Sequence, residues 1–74
     1  MEALTIYIVE DDPWYGEMLR HYLSLNPDYK PVLFTTGREC LKQLRHRPDI
    51  VTVDFGLPDM DGLHLMEQIH ALDP

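Results

Sequence analysis

The 74-residue chain has one cysteine, two lysines and no hydrophobic run of membrane-spanning length, and each shortage removes a class of explanation. The lone Cys40 cannot form an intramolecular disulfide. Its place in the pattern Cys40-Leu41-Leu44 reads as a small buried hydrophobe rather than a reactive thiol. Only 6 Lys and Arg stand against 13 Asp and Glu, a formal charge of -7. A protein that grips a phosphate backbone needs clustered cations, so no direct nucleic-acid binding is expected. The N-terminus carries Glu2 in place of a basic segment, and the apolar run behind it is too short for a signal peptide. No stretch suits a membrane span either, so no membrane association and a cytoplasmic address are expected. No linker, repeat or low-complexity segment divides the chain. At this length it is one domain at most, with a core only marginally sufficient.

What is present alternates strand and helix patterns. Two β-branched runs, Ile6-Tyr7-Ile8-Val9 and Ile50-Val51-Thr52-Val53, suit strands buried on both faces of a parallel sheet. Asp12-Pro13 starts a helix, with Asp as N-cap and Pro at the first position, and Trp14, Met18, Leu19, Tyr22 and Leu23 keep helical spacing. Trp14 is expected to pack at the helix start. Asn26-Pro27-Asp28 stops the helix, and residues 31–35 supply a second strand. Thr36-Gly37-Arg38-Glu39 leads into a short helix that turns Leu41 and Leu44 inward and ends before Pro48. The third strand begins near Asp49. A last helix from about Gly62 places Leu63, Met66, Ile69 and Leu72 in one apolar stripe, and Asp73-Pro74 is a breaker. The fold class is therefore α/β, a flavodoxin-like doubly wound parallel sheet cut to βαβαβα, with strand order 2-1-3.

Acidic residues close both buried strands: Glu10-Asp11-Asp12 follows the first, and Asp54 opens Asp54-Phe55-Gly56-Leu57-Pro58-Asp59-Met60-Asp61-Gly62 after the third. Order 2-1-3 makes those strands neighbours and brings Asp11 and Asp12 beside Asp54 at the carboxyl edge. Like charges so gathered resist joint ionisation unless a cation lies among them. Magnesium suits the cluster because it is a hard ion that takes one or two protein carboxylates and retains water. Zinc would want His or Cys, and His21, His46, His64 and His70 lack the paired spacing of a zinc site. Asp59-Met60-Asp61-Gly62 copies part of a calcium loop, but Leu57 and Gln68 would occupy its first and twelfth ligand positions. Taken singly, Asp12 also reads as a helix cap, and Asp59 and Asp61 as turn residues.

Val9-Glu10-Asp11-Asp12 before an amphipathic helix, together with Val53-Asp54-Phe55-Gly56-Leu57-Pro58-Asp59-Met60-Asp61-Gly62, resembles the receiver domain of two-component response regulators. The resemblance implies that Asp54 is the phosphoacceptor, that Asp11 and Asp12 hold Mg²⁺ with Asp54, and that the Gly56 carbonyl completes the protein ligands. Pro58 and Gly62 match the family's loop, and Glu10 takes a supporting role. It further implies a sensor histidine kinase as phosphodonor, an output domain in the parent protein, signal transduction feeding transcriptional regulation, and a phosphotransfer switch rather than an enzyme.

The resemblance runs over residues 1–74 as a single partial receiver domain. A strand-helix unit takes roughly 24 residues, so three fill this chain and five would need about 120. The Ser or Thr and the Lys that the family carries on its fourth and fifth strands have no counterpart, and Lys30 and Lys42 lie away from the acidic edge. This stretch alone is expected to be impaired in phosphorylation. Its third strand would keep an open edge, which predicts a homodimer or an element-swapped assembly for a protein this short. Two other classes fit less of the pattern. One is a pseudo-receiver that binds without phosphotransfer. The other is a small metal-dependent phosphatase of the haloacid dehalogenase type, whose second Asp is replaced here by Gly56.

Overall fold

In a computed structural model the chain is described over residues 3–54 and 56–72, with the side chain of Leu72 excluded. Phe55, the Leu72 side chain and the Asp73-Pro74 breaker, all named in the sequence reading, lie outside the described residues. The elements follow in the order β1 (Leu4–Val9), α1 (Pro13–Ser24), β2 (Tyr29–Phe34), α2 (Gly37–Lys42), a 3₁₀ turn (Leu44–His46), β3 (Ile50–Val53) and α3 (Gly62–Leu72). The three strands are parallel in the order β2-β1-β3, the order expected from the sequence reading.

Strand β1 is central, and its run Ile6-Tyr7-Ile8-Val9 is buried throughout. Its side chains alternate between two faces. Tyr7 and Val9 join Phe34, Cys40, Leu57 and Leu65 in the main core beneath α2 and α3. There the Tyr7 ring meets Phe34 edge-on at 4.8 Å, and its hydroxyl donates to the Gln43 carbonyl at 2.7 Å. Ile6 and Ile8 face the other way, where α1 lies close enough on β2 that a Cβ at Gly16 would come within 2.9 Å of Leu33 Cδ1. Each large aliphatic side chain so buried stabilises the fold by about 1.5–3 kcal/mol.

Four details differ from the sequence expectation. Strand β2 begins at Tyr29 and stops at Phe34. Pro31 sits inside it opposite Ile6, which is tolerated because β2 pairs on one side only. Helix α2 is a short six-residue segment, and the chain then tightens into the 3₁₀ turn and reverses through Arg47 at φ 54 and ψ 71. Trp14 does not pack at the helix start but is 75% exposed. In α3 the buried face is carried by Leu65, with Ile69 partly buried behind it, while Leu63 (54% exposed) and Met66 turn outward. Two apolar faces compete in that helix. Phase is set where Asp61 starts it, accepting the Leu63 N–H at 3.1 Å on its side chain and the Leu65 N–H at 3.0 Å on its carbonyl.

Candidate functional site

Parallel pairing brings the ends of β1 and β3 level. Val9 pairs with Phe34 on one side and Val53 on the other. The ladder runs one residue further, with the Glu10 N–H donating to Phe34 O and the Asp54 N–H to Val9 O, both at 3.0 Å. Residues 10 and 54, far apart in sequence, therefore stand side by side at the carboxyl edge. Glu10, Asp11 and Asp54 each offer a carboxylate oxygen there, all within 4.8 Å of one another.

Asp12 is not in that group. Its backbone is extended, with φ -79 and ψ 107, and its Oδ1 accepts the N–H groups of Trp14 (3.0 Å) and Tyr15 (3.2 Å) as the N-cap of α1. The sequence reading paired Asp11 with Asp12 and gave Glu10 a supporting place; the geometry gathers Glu10 with Asp11 and Asp54. The cause is local, because the chain turns from strand to helix within three residues and the last acid before Pro13 meets the unsatisfied N–H groups of the first turn.

Crowding is visible in the electrostatics. Burial, and then the carboxylates of Asp54, Asp11 and Asp12, push Glu10 above its ordinary value of 4.5. The Asp12 N–H, which donates to Glu10 Oε1 at 3.3 Å, opposes the rise without cancelling it. Three converging hard oxygen donors with no cationic side chain in the group are a donor set that fits Mg²⁺ and does not fit zinc.

The loop after Asp54 is tied down at successive positions. The Gly56 N–H donates to Asp54 Oδ1 at 3.4 Å, and Leu57 is buried in the core. Asp59 spans the start of α2, its Oδ1 accepting from Gly37 N–H at 3.0 Å and its Oδ2 from Arg38 N–H at 2.9 Å. Burial alone would raise the Asp59 carboxyl, but those two donors, with Asp59's own N–H and the nearby Arg38 charge, outweigh it and hold the group below its ordinary 3.8. Met60 follows, so close to Gly37 that a Cβ there would lie 2.8 Å from Met60 Cγ and Sδ. Pro58 is exposed in the middle of this loop, and Gly62 is the buried first residue of α3.

Asp59 is the residue that sequence reasoning undervalued. It was read as a turn former, whereas it clamps the β3–α3 loop to α2. Its partner lies 22 positions away and is a pair of backbone N–H groups, so no side-chain pattern announces it.

Comparison with known proteins agrees with this architecture. The family model described as the response regulator receiver domain matches residues 6–74. The transcriptional regulatory protein CssR of Bacillus subtilis is 39% identical over 97% of this chain, which spans 32% of that protein. A protein-glutamate methylesterase/protein-glutamine glutaminase of Syntrophus aciditrophicus is 40% identical over 89% of this chain, which spans 19% of it. Among solved structures, the signal receiver domain of a putative LuxO repressor protein from Vibrio parahaemolyticus superposes with a TM-score of 0.87 at 26% identity, over 96% of this chain and 55% of that one. The chain thus covers well under two thirds of these relatives. No helix among the described residues is long and apolar enough to cross a membrane.

Proposed function

This chain belongs to the response regulator receiver domain family, a family of signalling domains, and from that membership we propose that Asp54 accepts a phosphoryl group from a sensor histidine kinase. The observation that carries the proposal is the meeting of Glu10, Asp11 and Asp54 within 4.8 Å at the open end of two paired strands. Asp54 is the nucleophile. One of its oxygens attacks phosphorus as the bond from phosphorus to the donor's imidazole nitrogen breaks, leaving an acyl phosphate on Asp54 and a histidine that regains a proton.

The residues that would hold Mg²⁺ in this reading are Asp11 and Asp54 with Glu10, joined by the Gly56 carbonyl. Their site would thereby gain positive charge to offset the crowded carboxylates and the phosphoryl oxygens. The chain's own contribution is positional. The β1–β3 ladder holds Asp54 beside the acids, the Gly56 N–H orients Asp54 Oδ1, and the Asp59 clamp keeps the loop in place.

The partners in this reading are the kinase and an output domain of the parent protein. The transcriptional regulator CssR and the methylesterase share this stretch while their names describe different outputs. We assign this protein to transcriptional regulation on the strength of its likeness to CssR, and to the cytoplasm on its sequence pattern alone. The receiver segment is a switch, and any catalytic activity belongs to what it is joined to. For the 74-residue chain taken alone, the β3 edge that pairs with no strand among the described residues is the surface for self-association.

The test is a magnesium titration followed through Trp14 fluorescence, then an acyl phosphate donor with intact-mass measurement on wild type and Asp54→Asn. Saturable magnesium binding and a phosphoryl adduct absent from Asp54→Asn are expected. An adduct that persists in Asp54→Asn would refute the acceptor assignment.

A further inference from the structure

Helix α2 is six residues long, a length at which a helix does not persist without support from the rest of the fold. Its first-turn N–H groups have no partner inside the helix and must find one outside it. Thr36 serves one of them locally, its Oγ1 accepting the Glu39 N–H at 3.2 Å. The other two, on Gly37 and Arg38, donate to the carboxylate of Asp59, 22 and 21 positions further on. A residue of the β3–α3 loop therefore completes the start of α2.

Gly37 supplies a second, independent observation. Its φ is not positive, so glycine's conformational freedom does not explain it. A Cβ there would lie 2.8 Å from Met60 Cγ and Sδ and 3.4 Å from Leu65 Cδ2. The lack of a side chain is what lets the loop lie against the helix. The same segment is fastened at its other end, where the Gly56 N–H donates to Asp54 Oδ1 at 3.4 Å. Between the two fastenings Leu57 is seated in the core and Pro58 has its φ locked at about −65°, which leaves little slack.

From these contacts we infer that Asp59 is a positioning residue for the acid cluster: residues 56–60 link the start of α2 to Glu10, Asp11 and Asp54, so that magnesium binding and closure of α2 onto the loop favour each other. The inference rests on the reading of that cluster as a magnesium and phosphoryl site. Its two-state element is α2 itself, bonded to Asp59 or frayed from it. With Asp59 bonded, the Gly56 N–H is held against Asp54 Oδ1. With α2 frayed, the loop gains freedom and the acids lose the arrangement that suits a cation. Such coupling is reciprocal: the factor by which closure raises magnesium affinity is the factor by which magnesium favours closure, typically about 5–150-fold.

The experiment uses the full-length protein with magnesium alone as the probe, and reads amide hydrogen exchange residue by residue together with magnesium affinity by calorimetry. Saturating magnesium should slow exchange of the Gly37 and Arg38 N–H groups by about fivefold or more relative to that of Thr5. Thr5 is the matched control, since its N–H is likewise held by a remote carboxylate, Asp49 Oδ2 at 2.8 Å, but at the start of β1 rather than its end. Asp59→Asn and Asp59→Ala should each weaken magnesium by a similar factor. Asp61→Asn removes the same charge from the same loop and keeps the cap of α3, so it should stay within about twofold of wild type. Equal slowing at Thr5, no slowing at Gly37 and Arg38, or folded Asp59 variants that bind magnesium as Asp61→Asn does would overturn the coupling while leaving the magnesium site standing. Absence of magnesium binding by wild type would instead remove the site reading, and this inference with it. Should the Asp59 variants fail to fold, exchange in wild type decides.

Discussion

Replacing Asp54 by Asn removes one of three charges whose oxygens lie within 4.8 Å of one another while keeping the side chain's shape and its Oδ1 acceptor for the Gly56 N–H. At that separation each carboxylate pair repels by about 0.9 kcal/mol in the dielectric of bulk water, and by more where the protein lowers it. Asp54 takes part in two such pairs. Screening over a Debye length of about 10 Å at 0.1 M salt trims the sum, so relief of roughly 1 kcal/mol is a conservative figure. In a domain of this size that raises the melting midpoint by about 4–8 °C. Thermal unfolding in a chelator should therefore show Asp54→Asn, and likewise Glu10→Gln, melting above wild type. The Glu10 carboxyl gives the pH signature. Its value is raised in the folded state, so its contribution is fully present below the ordinary 4.5 and is lost as pH rises through the higher folded value. The advantage of Glu10→Gln should consequently be small in acid and grow toward neutrality. Saturating magnesium should reverse the order, because a ligand at 100 times its Kd adds about 2.7 kcal/mol to the form that binds it. Wild type melting at or above both neutral variants in chelator would sink the convergence argument, as would magnesium stabilising all three alike.

Three other perturbations test separate parts of the fold. Asp59→Ala frees two N–H groups at the start of α2 and should cost about 1–2 kcal/mol in urea unfolding at pH 7. Because the Asp59 carboxyl is held below 3.8, its contribution is complete above that value and should fade as pH drops beneath it; a penalty that stays constant into strong acid would contradict the clamp. Leu65→Ala empties a fully buried position between α3 and the sheet, and a loss of about 2–5 kcal/mol is expected by calorimetry, whereas Leu63→Ala on the exposed face should change little. Cys40 is buried and its thiol is pushed up to about 11, so iodoacetamide at pH 8 should label it only as fast as the protein unfolds; rapid labelling of folded protein would place it at the surface.

Those parts of the fold differ in how plainly the chain announces them. Ile6-Tyr7-Ile8-Val9 and Ile50-Val51-Thr52-Val53 are continuous apolar, largely β-branched runs, and such runs have few stable homes other than a parallel sheet; pattern and handedness make the sheet legible but do not by themselves choose order β2-β1-β3 over 1-2-3. Asp12-Pro13 announced α1 because cap and first-turn proline are local signals. Helix α3 was harder. Leu63 and Met66 form as good a stripe as Leu65 and Ile69, and what selects between them is the Asp61 cap together with the seating of Leu65 in the core, next to Met60 and Gly37. The Asp59 clamp was illegible for the same reason: its partners are backbone groups that become neighbours only after the sheet has formed.

The acids around the first strand show this limit most sharply, since Glu10, Asp11 and Asp12 are interchangeable as carboxylates and differ only in what the backbone offers each of them. Asp12 meets two N–H groups of α1, while Glu10 and Asp11 face Asp54. This division can be measured. Asn caps a helix about as well as Asp, and Ala does not, at a cost of about 1 kcal/mol. Asp12→Ala should therefore lower stability, Asp12→Asn should leave it nearly intact, and neither should weaken magnesium binding more than a few fold, through loss of a nearby charge. Asp11→Asn should do the opposite, leaving the chelated protein as stable as wild type or more so while weakening magnesium at least tenfold by Trp14 fluorescence. If Asp12→Asn melts like wild type yet binds magnesium as poorly as Asp11→Asn, then Asp12 belongs among the ligands and its hydrogen bonds to the helix are incidental.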